Sequence, residues 1–187
     1  MDPENPLHVG TLDEMGAAMT DIHLTYTPEQ FAALALDRYR TLDPREALFL
    51  FESFPFQSHV RVLLQMNAEL TLIHEFWSNL QDVLDPLDPG LIYFESPDAA
   101  AAIGAAFSLR GQEWTQYVVS ALEGTAFAQA RGLSGIDCAL QMFRVYGALL
   151  PELVGSWRFK RLVLPARTTS FEERDRLLLE WSLQVSG

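Results

Sequence analysis

The sequence predicts one α/β domain: a mostly parallel sheet of few strands flanked by helices, with a helix-rich second half. Three observations predict it. Apolar runs at 47–51, 91–94 and 159–164 have the length and continuity of buried strands. Long segments of helical periodicity separate them, as parallel pairing through crossovers requires. The 187-residue chain, 49% hydrophobic, is long enough for one two- or three-layer core and short for two. No repeat, Gly/Ser linker or low-complexity tract divides residues 1–187.

Residues 1–25 mix small, polar and turn-forming types without a sustained period and are expected to form an irregular arm. At Thr27-Pro28-Glu29-Gln30 a hydroxyl cap, Pro at the first helical position and Gln three residues after the cap open a helix over 28–41. Asp43-Pro44 breaks it, and Ala47-Leu48-Phe49-Leu50-Phe51 reads as a strand that stops at Glu52. Helical spacing returns over 57–64 and 70–84, where Leu72, Ile73, Phe76, Trp77, Leu80, Val83 and Leu84 share one stripe. A turn at 85–90 leads to the strand Leu91-Ile92-Tyr93-Phe94, which stops at Glu95. Ser96 is the expected cap and Pro97 the start of an Ala-rich helix that runs through Arg110 and closes at Gly111. Helices are expected over 113–122, 126–131 and 135–154, the last bent by Pro151. A third strand follows over 159–164, and Ser170 then caps a final helix whose Glu172 and Glu173 suit its positive end.

Composition narrows the partners. A formal net charge of −12 opposes binding to nucleic-acid polymers or to anionic lipid, both of which need a basic face. No stretch reaches the roughly 18 uninterrupted apolar residues of a membrane span, and the first residues lack a basic and an apolar leader, so a cytoplasmic protein is expected. The one cysteine, Cys138, sits in a helical pattern and reads as a small core residue. His8, His23, His59 and His74 share no ligand spacing, which predicts no metal centre of that kind. Neither a Gly-x-Ser-x-Gly elbow nor a Gly-x-Gly-x-x-Gly turn is present.

What remains is a set of strand-end acids and helix-borne arginines. Ligands of open α/β sheets bind beyond the carboxyl ends of the strands, where Glu52 would meet a substrate hydroxyl or a Mg²⁺-bound water. Glu95 is similarly placed, although the helix start that follows explains its polarity unaided. Arg61, Arg110 and Arg131 stand where a guanidinium can clamp phosphate or simply complement a helix dipole. Gln57 and Trp114 could read a base by hydrogen bonding or stacking, or serve the surface and the core.

The run Leu48-Phe49-Leu50-Phe51-Glu52-Ser53-Phe54-Pro55-Phe56-Gln57, then Pro86-Leu87-Asp88-Pro89-Gly90-Leu91-Ile92-Tyr93-Phe94, then Leu109-Arg110-Gly111-Gln112-Glu113-Trp114, resembles P-loop proteins related to nucleoside and thymidylate kinases, over residues 45–185. The resemblance implies that Glu52 is the acid near the acceptor or metal, Arg61 a substrate-side contact and Arg110 a lid residue facing phosphate. Such enzymes open with a strand and Gly-x-x-x-x-Gly-Lys-Ser/Thr, which this sequence lacks. The chain is then expected to be a fragment, a mis-started reading frame, or a kinase-like domain without its own P-loop. Such a domain would bind a nucleotide-like or phosphorylated small molecule, or a protein partner, with catalytic Glu52 and substrate-binding Gln57, Arg61, Arg110 and Arg131. An active phosphotransferase with an atypical phosphate site would add Mg²⁺ and ATP as cofactors. A non-catalytic interaction protein is the third reading, and the exposed edge of so small a sheet makes a homo-oligomer the expectation.

Overall fold

The computed structural model describes residues 26–43, 49–166 and 170–185, with side chains to 182. The expected arm over 1–25 lies outside the described residues. Eight α-helices and a two-stranded parallel sheet make up the described chain.

Helix α1 (Pro28–Arg40) opens on the predicted reciprocal cap: Thr27 Oγ1 accepts the Gln30 N–H, and Gln30 Oε1 accepts the Thr27 N–H. A π-helical turn (Phe56–Val60) continues into α2 (Arg61–Gln65), in place of the single α-helix expected over 57–64. The wide turn holds an extra residue, so Phe56, His59 and Val60 all reach the core while Gln57 and Ser58 stay outside. Helix α3 (Leu70–Leu84) buries Ile73, Phe76, Trp77, Leu80 and Leu84 along the predicted stripe, together with the polar Gln81. A 3₁₀ turn (Asp85–Leu87) leads to β1 (Leu91–Glu95).

Helix α4 (Ala99–Arg110) starts later than predicted, because Asp98 rather than Ser96 caps it, accepting the Ala101 N–H at 2.8 Å. It ends at Gly111, whose φ of +84° suits glycine. Helices α5 (Gln112–Glu123) and α6 (Ala126–Arg131) meet at Thr125, a fully buried residue. Its hydroxyl donates to the Leu122 carbonyl at 2.6 Å and accepts the Ala128 N–H at 3.3 Å. Helix α7 (Gly135–Gly155) continues past Pro151 as one element and carries much of the core on Cys138, Ala139, Met142, Tyr146, Leu149, Leu150, Leu153 and Val154. Strand β2 (Arg161–Pro165) follows, slightly later than predicted, then α8 (Phe171–Val185), where Ser170 Oγ accepts the Glu173 N–H as its cap.

Strands β1 and β2 pair in parallel, Leu91 opposite Arg161 through Glu95 opposite Pro165, as a crossover through four helices demands. Flanking of the sheet is incomplete among the described residues: Phe94 is 47% and Val163 39% exposed. The expected strand over 47–51 is a correction. Residues 47 and 48 lie outside the described residues, while Phe49, Leu50 and Phe51 are not in a strand, and Leu50 is 90% exposed. An apolar run becomes a strand only when a neighbour satisfies its backbone. Here the rings associate instead: Phe51 meets Tyr39 edge-on at 5.7 Å and Phe54 at 5.1 Å.

The core joins α1, α2, α3 and α7, with Phe76, Leu63, Phe127 and Met142 among its most buried side chains. Several polar groups inside it are matched. Gln81 donates to the Trp77 carbonyl and accepts the Arg158 N–H at 2.8 Å, and the Trp77 indole N–H donates to Ser156 Oγ at 3.0 Å. Arg161 donates to the Val154 and Gly155 carbonyls, tying β2 to the end of α7. At Gly147 the two helices α4 and α7 touch so closely that an added Cβ would stand 2.7 Å from the Ala99 Cβ.

Candidate functional site

The five sequence-predicted residues do not converge on one point. Glu52 occupies an exposed bend just before Ser53, whose φ is +61°, and no hydrogen bond or ion pair joins it to an arginine among the described residues. The premise that it ends a buried strand is corrected by the irregular course of 49–51. Gln57 is exposed, and its backbone carbonyl accepts from Arg61 Nε at 3.2 Å, so these two are neighbours through one turn of helix.

Arg110 is exposed at the end of α4 with its guanidinium 4.7 Å from the Trp114 ring centroid. Trp114 in turn packs on Phe107 at 5.7 Å. An open depression of 490 Å³ runs beside them between α4 and α5, and neither Arg110 nor any other charged residue lines it. Arg131 is engaged structurally: it donates to Asn67 Oδ1 at 2.6 Å and to the Phe127 carbonyl at 3.1 Å, and lies 3.9 Å over the Phe127 ring. That network fastens α6 to the turn after α2.

Arg61 differs from the other arginines. It is partly buried, and among the described residues no carboxylate lies within ion-pairing distance. Burial disfavours its charged form and pulls its pKa down, while Tyr146 acts in the opposite direction. Tyr146, on α7, is buried, and that burial drives its hydroxyl pKa strongly upward, with Arg61 pulling down and Tyr93 pushing further up. Tyr93, on β1, is raised by burial and by the Glu95 charge. Its ring meets Phe56 edge-on at 5.4 Å. Neither tyrosine hydroxyl makes a hydrogen bond among the described residues. Tyr146 of α7 therefore stands within electrostatic reach of both Arg61 of α2 and Tyr93 of β1. Chemically the set can donate hydrogen bonds and neutralise an anion. It holds no general base.

The sequence reading picked out Arg61 but missed Tyr93 and Tyr146. Their signal was faint: Tyr93 lies inside an apolar strand run and Tyr146 on a helix stripe, where a tyrosine usually fills space.

No family model, curated protein or solved structure matches this chain. The chemistry of its residues must carry the functional reading. Among the described residues, no helix is long and apolar enough to cross a membrane.

Proposed function

We propose that this chain binds a small phosphorylated or nucleotide-like molecule, with Arg61 as the anchoring cation and Tyr93 and Tyr146 as neutral donors. The observation that carries the reading is the partly buried Arg61 guanidinium without a carboxylate among the described residues. A desolvated cation is costly unless an anion faces it, and a phosphate accepts bidentate bonds from a guanidinium better than most groups. The likeness to nucleoside and thymidylate kinases points to the same ligand class.

The test is thermal unfolding with inorganic phosphate, pyrophosphate, ATP with and without Mg²⁺, and unphosphorylated nucleosides. A ligand at about 100 times its Kd stabilises by roughly 2.7 kcal/mol, which raises Tm by about 5–10 °C in a domain of this size. Arg61→Met should remove that shift while leaving the unliganded protein as stable as before or more so, since it deletes an unpaired cation. A phosphate shift that survives Arg61→Met refutes the reading. Turnover of ATP that is lost in Glu52→Gln would move the protein to the active phosphotransferase reading. No shift with any phosphate, together with concentration-dependent self-association, would favour the interaction protein.

A further inference from the structure

A cavity of 840 Å³ opens around the start of β1, far larger than a packing defect and within the range of sites that hold small molecules. The irregular segment 49–55, the end of α3, the turn before β1 and the inner side of α8 enclose it. Its wall is aromatic and aliphatic, with Phe51, Phe54, Trp157 and Trp181 among the lining residues. Among the described residues, the charged ones that line it are two carboxylates, Asp88 and Asp175, and no lysine or arginine joins them. None of Arg61, Tyr93 and Tyr146 lines it.

Trp157 belongs to the aromatic part of this wall. It is only 6% exposed, and its indole N–H is the buried side-chain donor without a partner among the described residues. Its neighbour Trp77, 5.3 Å away ring to ring, has its own N–H satisfied by Ser156. Buried donors are almost always matched; the one on Trp157 is sealed inside the wall, so Trp157 offers the cavity its ring and not its N–H. Helix α8 closes the cavity by resting the Trp181 ring on Gly90, where any Cβ would collide with it. The residue at 90 must therefore lack a Cβ for the ring to rest there.

We propose that this cavity binds a hydrophobic organic cation. The apolar body packs against the rings, and a protonated amine meets Asp88 and Asp175. Opposite charge preferences separate this site from the Arg61 cluster, so either can fail without the other.

Calorimetric titration of the full chain with 4-phenylbutylammonium, 4-phenylbutan-1-ol and 4-phenylbutyrate, three molecules of one body and different heads, tests the proposal. The ammonium should bind saturably and about fivefold tighter than the alcohol, with the carboxylate weakest, as expected for a pair of exposed carboxylates. Asp88→Asn with Asp175→Asn should erase the preference. Asp137→Asn, which removes an acid remote from the cavity lining, should leave it intact and so controls for the overall negative charge. Equal binding of all three heads overturns the proposal, as does a preference that survives the double substitution or the absence of saturable binding by any of them.

Discussion

Acidification should destabilise this protein through His59 before its carboxylates titrate. The imidazole is buried on the π-turn, ringed by Phe31, Phe54, Phe76 and Tyr39, with Nδ1 at 2.8 Å from Ser58 Oγ and Nε2 at 3.4 Å from the Tyr39 hydroxyl. Burial, helped by the Arg38 charge, pushes its pKa from 6.5 down to about 4. An unfolded chain takes up the proton below pH 6.5, whereas the folded one refuses it until about pH 4. Stability is thus complete above pH 6.5 and falls as the pH drops through that window, by up to about 1.4 kcal/mol per pH unit. At pH 5 the loss amounts to about 2 kcal/mol, or a fall of roughly 1 M in the urea midpoint for a domain of this size. The assay is urea unfolding at pH 7.5, 6.5, 5.5 and 5.0 for the natural chain and for His59→Gln, which has no titrating ring. Carboxylate effects are common to both and cancel in the difference. His59→Gln should lie below the natural chain at pH 7.5 and converge with it as the pH falls to 5. Parallel curves across that range would refute the argument, whatever their offset.

Two packing predictions use the same denaturation measurement. Gln81→Leu keeps the volume but strips the acceptor from the Arg158 N–H, and should cost about 1–3 kcal/mol; a cost under about 0.5 kcal/mol would mean that solvent already satisfies that group. Gly147→Ala should destabilise the protein by about 1–2 kcal/mol, because the clash with Ala99 outweighs the roughly 1 kcal/mol that alanine contributes to a helix interior. Adding Ala99→Gly to that variant should recover part of the loss, and a stabilised single variant would show that the two helices separate freely.

Helices with both a cap and a period were legible. Thr27 with Gln30 located α1, and the stripe from Ile73 to Leu84 located α3, because local hydrogen bonding and one-sided burial coincide there. Legibility failed where local signals compete or where a distant partner decides. Ser96, Pro97 and Asp98 offer rival helix starts within three residues, and the carboxylate took the Ala101 N–H. The run at 47–51 has the composition of a strand, yet pairing depends on a neighbour that no local pattern encodes, and Glu52 lost its expected setting with it. Arg61 was visible as a residue but not as a partly buried cation, since its surroundings come from α7 and β1, far away in sequence. Gln81 and His59 were similarly hidden: a polar side chain inside an apolar stripe announces its burial only once its partners are in place.

The hydroxyl of Thr125 serves the last turn of α5 and the first turn of α6 at once. Helix ends ordinarily fray one at a time, each opening at small cost. Here one oxygen closes both, so loosening either end releases the other, and the corner behaves as a single opening unit. Amide protons on the two sides of residue 125 should then share one exchange pathway, so that α5 and α6 leave α7 together or stay docked.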